Sequence, residues 1–128
     1  MGNDMDTNSR EANWTRVCAL DDIVSDTGVC ALVHSAQVAV FRVAVTEEVF
    51  AIDNVDPNSQ AAVLSRGLIC SIGERIAVAS PMYKQHFDLK TGECLEVQGS
   101  TVRTYPARVV QGTVFVCADD DTVSPQRE

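Results

Sequence analysis

The chain has 128 residues, of which 45% are hydrophobic and only 5% aromatic. That length is typical of one domain and is sufficient to bury one hydrophobic core. The formal net charge is -8, from 18 acidic and 10 basic residues. This charge argues against nucleic-acid binding, because contacts with phosphates require clustered Lys and Arg. A protein or small-molecule partner is more consistent with the composition.

Both ends of the chain are polar and acidic, and neither has a pattern of apolar residues. We therefore expect residues 1–12 and 118–128 to be disordered tails around a single domain at 13–117. Residues 1–13 contain no apolar stretch like that of a secretory signal, and no later apolar run has the length of a membrane helix. The sequence therefore predicts a cytoplasmic protein without a membrane partner.

Five cysteines occur without a repeating spacing: Cys18, Cys30, Cys70, Cys94 and Cys117. An odd number without regular spacing argues against a disulfide framework and is consistent with a reducing compartment. We expect free thiols, most of them buried.

The first half of the chain is rich in Val, Ala and Phe, which favour β-strands. In chain order, the patterns predict strands at 14–20, 29–33, 37–45 and 49–52, a turn at 21–23 and a hairpin connection at 46–48. Polar residues, Pro and Ser then dominate from 53 to 67, so we expect a long loop there.

The second half continues the β pattern. A strand is predicted at 75–79, followed by a second loop that begins at Pro81, because proline removes a backbone donor. Further strands are predicted at 87–89, 102–105, 108–110 and 113–116, with a tight turn at 111–112. No segment has a sustained helical period, so the sequence predicts an all-β fold.

Catalytic and metal-binding patterns are sparse. His34 and His86 are the two histidines, and neither lies in a motif that would activate a nucleophile. Cys30 and His34 are separated by roughly 13 Å if both lie on a strand, which is too far to share a metal readily. We expect Cys30 to be a core residue and His34 to lie near an edge or the surface.

Two segments, residues 50–58 and 76–94, resemble the ligand loops of Rieske ferredoxin-like domains. In that family the first loop carries a Cys-x-His pair and the second a Cys-x-x-His pair, which together bind a two-iron two-sulfur cluster. The flanking Pro81 and the Phe-Asp-Leu-x-Thr-Gly run at 87–92 match the family pattern. The resemblance implies an antiparallel β-sandwich or barrel with two long loops that form a cluster-binding subdomain.

All four ligand positions of that pattern are changed in this chain. Asp56 and Asn58 stand where the first Cys and His would be, and Ser80 and Tyr83 stand where the second pair would be. These side chains supply no thiolate, and such a cluster requires thiolates. We therefore expect a degenerate subdomain with no cluster, no other cofactor or metal, and no catalytic residue in this chain.

Loss of all four ligands is similar to one branch of the family, the small subunits of NADH-dependent nitrite reductases. The opening strand at Trp14 and the segment 102–109 also resemble that branch. The resemblance implies an accessory subunit in nitrate assimilation. Its large partner subunit would carry siroheme, an iron-sulfur cluster and FAD, and would reduce nitrite to ammonium.

Two alternatives to that interpretation stay open. In the first alternative, the chain is an electron carrier with an unusual metal site at the loop tips. In the second, it is a free-standing regulatory module that uses the degenerate site as a ligand pocket. Separately, a free sheet edge leaves a homodimer open.

Something must occupy the space that a cluster would fill. We expect the Tyr83 ring to fill it, with a stabilisation of up to ~4 kcal/mol. Asp56 and Asn58 are expected to bind backbone amides of their own loop, and Ser80 to bond across to the first loop.

Overall fold

The structure, a computed structural model, describes residues 14–118. The predicted tails lie outside the described residues, except for Ala118, which we placed in the C-terminal tail. Ala118 is 2% exposed and packs in the hydrophobic core. The folded domain therefore includes at least one residue beyond the predicted boundary at 117.

Within the described residues there are ten strands: β1 (Trp14–Ala19), β2 (Thr27–Val33), β3 (Ala36–Val43), β4 (Glu48–Asp53), β5 (Leu68–Ile72), β6 (Arg75–Ala79), β7 (His86–Asp88), β8 (Thr104–Tyr105), β9 (Ala107–Val110) and β10 (Thr113–Cys117). Short 3₁₀ turns occur at Leu20–Asp22 and Leu64–Arg66. Between residues 14 and 118, no helix is long and apolar enough to cross a membrane. The all-β prediction is confirmed.

The strands form three antiparallel sheets, with the orders β1-β10-β9, β2-β3-β4-β8 and β5-β6-β7. The pairing of residues 14–118 does not close these sheets into a barrel. Of the two arrangements that the sequence left open, the layered one is therefore observed.

Strand β3 explains the layering, because it is buried on both faces. Val38 and Val40 pack in one hydrophobic cluster with residues of β10. Ala39 and Phe41, which alternate with them, pack in a second cluster with residues of β6 and β7. Successive side chains on a strand point to opposite faces, so the central sheet lies between two cores.

The predicted tight turn at 111–112 is confirmed. Gln111 and Gly112 have φ angles of 51° and 78°, and two positive φ angles are typical of a two-residue hairpin turn that matches strand twist. Strand β5, in contrast, was not predicted. The predicted strand at 37–45 ends earlier than expected, because residues 44 and 45 belong to the turn before β4.

The cysteines of the described residues form no disulfide, and most of them are not buried. Cys94 is buried, Cys18, Cys70 and Cys117 are half-buried, and Cys30 is exposed. The prediction that Cys30 is a core residue is wrong, because it lies on β2, an edge strand of its sheet that has a neighbour on one side only. His34 is exposed, as expected, in the turn between β2 and β3.

Candidate functional site

Three irregular segments carry the predicted site. The first loop, residues 54–67, follows β4; the second loop, residues 80–85, joins β6 to β7; a third segment, residues 89–103, leads from β7 to β8. Side chains from the first two loops occupy the predicted ligand positions. The part of the third segment after residue 94 was not predicted to take part.

Asp56 and Ser80 join the two loops directly. The Ser80 hydroxyl donates a hydrogen bond to Oδ2 of Asp56 at 2.5 Å, and the two residues are 0% and 1% exposed. The predicted bond from Ser80 to the first loop is therefore confirmed. It joins the two residues, one from each loop, that the sequence resemblance predicts to stand at cysteine-ligand positions.

Asp56 also shapes its own loop, as predicted. Its Oδ1 accepts hydrogen bonds from the backbone N–H of Asn58 at 2.8 Å and of Ser59 at 3.4 Å. Its backbone carbonyl accepts a bond from the N–H of Gln60 at 2.7 Å. The carboxyl group thus satisfies partly buried backbone donors that a tight turn would otherwise leave unpaired.

The side chain of Asn58 behaves differently from the prediction. Instead of holding its own loop, its Nδ2 donates to Oε1 of Gln85 at 2.6 Å, and its Oδ1 accepts from the hydroxyl of Ser100 at 3.2 Å. Asn58 therefore links the first loop to the second loop and to the third segment. Gln85 and Ser100 had no sequence signal, because each is a common surface residue outside the family motif.

The prediction that Tyr83 fills the loop interior is wrong. Its side chain is 59% exposed, and that of its neighbour Met82 is 48% exposed. The second loop closes on itself, because Lys84 N–H donates to the Ser80 carbonyl at 2.9 Å and Ser80 N–H donates to the Gln85 carbonyl at 2.8 Å. This closure leaves the residues at the tip of the loop in solvent.

Buried contacts within the first loop take the place of the expected ring. Leu64 is 0% exposed and packs in the second core. Asn54, 2% exposed, accepts a bond from Ser65 N–H through its side-chain oxygen at 2.7 Å and from Leu64 N–H through its carbonyl at 3.0 Å. These contacts fold the loop down onto the core without a metal.

Asp88 gives the Phe-Asp-Leu-x-Thr-Gly run a structural role. It is 5% exposed, and its Oδ1 accepts from the N–H groups of Lys90 at 2.7 Å and Thr91 at 3.0 Å. The turn then passes through Gly92, whose φ of +82° favours glycine. Nε of Arg75 lies 3.7 Å from Oδ2 of the Asp88 carboxylate.

Glu96 holds the third segment against β7. Its Oε1 accepts from the backbone N–H of His86 at 2.8 Å, and its Oε2 lies 2.6 Å from Nδ1 of the same residue. The bond from the His86 backbone is the main cause that lowers the pKa of the Glu96 carboxyl. Burial acts in the opposite direction, and the hydrogen bond and charge of the imidazole lower the pKa further.

The residue types at the site do not fit a two-iron two-sulfur cluster. Asp56, Asn58, Ser80 and Tyr83 offer oxygen and amide groups, whereas such clusters are held by thiolates and, in Rieske centres, imidazoles. Asp56 and Ser80 already bind each other, and Tyr83 points to solvent. No group of three or more His, Cys, Asp or Glu within 14–118 is arranged to hold a metal ion.

This layered β-fold with two paired loops defines a class of protein. A family model described as a Rieske-like [2Fe-2S] domain matches residues 13–117, which include all ten strands and both loops. The chain belongs to this family.

Within the family, the chain is similar to small subunits of nitrite reductase. It is 47% identical over 103 residues to the nitrite reductase (NADH) small subunit of Escherichia coli K12, and the alignment covers 80% of this chain and 95% of that protein. A crystal structure from Mycobacterium tuberculosis, assigned as an NADH-dependent nitrite reductase small subunit, superposes with a TM-score of 0.79 at 42% identity. The superposition covers 83% of this chain and 95% of the M. tuberculosis chain.

A third relative has a different organisation. The nitrite reductase [NAD(P)H] large subunit of Klebsiella oxytoca is 39% identical over 103 residues, which are 80% of this chain but only 11% of that protein. A domain similar to this chain is thus part of a much longer polypeptide in that organism.

Proposed function

We propose that the chain is the small accessory subunit of a cytoplasmic, assimilatory NADH-dependent nitrite reductase, which reduces nitrite to ammonium. The observation that carries this proposal is the 47% identity to an E. coli nitrite reductase small subunit over 95% of its length. The large subunit performs the chemistry, with siroheme, an iron-sulfur cluster and FAD. The isolated chain catalyses nothing.

The chain itself carries no cluster in this proposal. The hydrogen bond between Asp56 and Ser80 supports this, because it joins the two loops through residues that stand at cysteine positions of the family. Oxygen donors are poor substitutes for thiolates on iron-sulfur iron. The loops therefore serve to complete the fold and the surface rather than to carry electrons.

The Klebsiella relative supports the large subunit as the partner. A domain 39% identical to this chain lies within a large-subunit polypeptide there. Fusion holds two domains at high effective concentration and in equal number. We therefore propose one copy of this chain for each large subunit.

Affinity capture of the tagged full chain, coexpressed with the large subunit of the same organism, tests the proposed function. We expect a complex in equal amounts that contains siroheme and reduces nitrite with NADH. If the two proteins elute separately at micromolar concentration, the accessory-subunit proposal is wrong. A chain that elutes alone and binds a small molecule would favour the free-standing module instead.

A further inference from the structure

Strand β5 presents apolar side chains to solvent. Leu68 is 76% exposed, Ile72 is 39% exposed and Cys70 between them is half-buried. These alternate residues lie on one face of the strand, because successive side chains point to opposite faces. Single exposed apolar residues are ordinary, but a row of three along one strand is not.

The opposite face of β5 carries one large apolar side chain, Ile69, and the exposed Ser71. Ile69 packs against the second core, so the strand has large hydrophobic side chains on both sides. A strand that simply closes the side of a sandwich needs them on the core side only. The outward row therefore has no explanation in the packing of residues 14–118.

The apolar surface continues beside the strand. Val45, in the turn between β3 and β4, is 80% exposed. It lines a cavity of about 280 Å³ that also contacts Cys70 of β5, and the rest of the lining is Asp26, Val43, Ile69, Ser71 and Ile76. We call Val45, Leu68, Cys70 and Ile72 the β5 patch.

Among the described strands, β5 is also an edge that lacks the usual protection. Its only partner is β6, and the register runs without a bulge from Leu68 opposite Ala79 to Ile72 opposite Arg75. The strand contains no charged residue and no proline. Edge strands in monomeric proteins normally carry such features, which prevent edge-to-edge association. An unprotected apolar edge therefore indicates that a partner covers it.

The fused Klebsiella relative indicates which partner this is. There, a domain similar to this chain belongs to a large-subunit polypeptide, so the rest of that polypeptide is available to cover it in every molecule. We propose that the β5 patch is the surface on which this chain docks to the large subunit of nitrite reductase, an inference that rests on the proposed function. The complementary surface of the large subunit is accordingly apolar.

A pair of double variants tests this docking surface. Leu68→Gln with Ile72→Gln removes the apolar row without adding charge. Val24→Gln with Val110→Gln is the matched control, because those residues are 71% and 44% exposed and lie outside the β5 patch. We expect the first variant to bind the large subunit at least about tenfold more weakly, and the control to change binding by less than about twofold. Thermal unfolding of both variants checks that they fold.

A second measurement uses the wild-type chain and so does not depend on any variant folding. N-ethylmaleimide labels free thiols, and mass spectrometry gives the rate at each cysteine. We expect the large subunit to slow labelling of Cys70 about tenfold or more, because the patch is covered. Cys30, exposed on β2 outside the patch, serves as the internal control and keeps its rate.

The outcomes separate this inference from the proposed function. If the wild-type chain does not bind the large subunit, both are overturned. If it binds but the Leu68→Gln, Ile72→Gln variant binds equally well, and Cys70 stays accessible, only the docking surface is wrong. A wild-type dimer that this variant converts to a monomer, with binding to the large subunit unchanged, would assign the patch to a second copy and overturn the inference.

Discussion

Asp56 and Ser80 show how a pair of side chains can join two loops that relatives of this fold join through a metal cluster. Both residues are buried, and the Ser80 hydroxyl donates to the Asp56 carboxyl at 2.5 Å. A hydrogen bond to a carboxyl group in such a dry site contributes more than one at the surface. The bond is therefore expected to stabilise the loop pair measurably.

A double-mutant cycle measures that contribution. Asp56→Ala removes the acceptor for Ser80 and for the Asn58 backbone, and we expect it to lower the free energy of unfolding by about 2–4 kcal/mol. Ser80→Ala should cost about 1.5–3 kcal/mol, and the double variant less than the sum of the two. Urea unfolding of the four proteins gives the coupling energy; additive effects would show that the bond contributes nothing.

Tyr83 provides the contrasting case at the same site. Because its side chain is 59% exposed, Tyr83→Ala should change the free energy of unfolding by less than about 0.5 kcal/mol. The same urea experiment measures this change. A loss of several kcal/mol would mean that the ring packs inside the loops after all.

A substitution at Gly92 tests the structure of the turn that follows Asp88. Its φ is +82°, and a Cβ there would overlap the carbonyl oxygen of Val102, so Gly92→Ala should cost at least about 3 kcal/mol. Gly99→Ala is the matched control, with a φ of +86° but open space around the added atom; we expect about 1 kcal/mol from backbone strain alone. Equal losses in thermal unfolding would contradict the steric explanation.

At the scale of elements, the contact between Glu96 and His86 fixes the third segment to β7. The pKa of Glu96 is lower in the folded chain than its ordinary value of 4.5, first because of the bond from the His86 backbone. A lowered carboxyl pKa stabilises the fold at pH values above the unfolded pKa, and this contribution is lost as the pH falls through the folded pKa.

The direction of this pKa shift predicts how the stability of the Glu96→Gln variant depends on pH. Gln keeps an acceptor for the His86 backbone but has no charge, so the variant should be less stable than wild type at neutral pH. The difference should shrink as the pH falls from the ordinary pKa of 4.5 through the lower pKa of the folded chain, below which the wild-type carboxyl is protonated as well. Thermal unfolding of both proteins between about pH 3 and pH 7 measures this difference in stability. A stability difference that grows in acid would contradict the lowered pKa of Glu96.

The strands were predicted from sequence with mostly small errors at their ends, because Val-rich and Phe-rich runs bounded by polar turns are a local signal. Strand β5 was missed. Its sequence, Leu-Ile-Cys-Ser-Ile, lacks the alternation of apolar and polar residues that marks a half-buried strand. The same property, apolar residues on both faces, is what suggests a docking role.

The positions of the loops were also predictable, but their contacts were not. The motif located Asp56 and Ser80 opposite each other by analogy with cysteine ligands that share one metal. The partners of Asn58, namely Gln85 and Ser100, depend on how three separate segments meet. Local residue patterns carry no information about such long-range contacts.

At the scale of the molecule, the sequence predicted β-layers but did not decide between a sandwich and a barrel. The alternation of buried residues on β3 shows that the central sheet has a core on each face. That arrangement depends on which strands pair. The two-residue alternation of apolar side chains shows which face of a strand is buried, but it does not show which strands lie beside it. The resemblance left the same choice open, and the strand pairing of residues 14–118 decides it.

The absorption spectrum and iron content of the isolated full chain, purified without oxygen and incubated with ferrous iron and sulfide, test the central claim most directly. That claim is that a hydrogen-bonded pair, Asp56 and Ser80, stands in this Rieske-like domain where relatives bind a cluster. We expect a colourless protein without stoichiometric iron, because the loops offer no thiolate. A brown protein with two irons per chain would contradict the account and restore the electron-carrier interpretation.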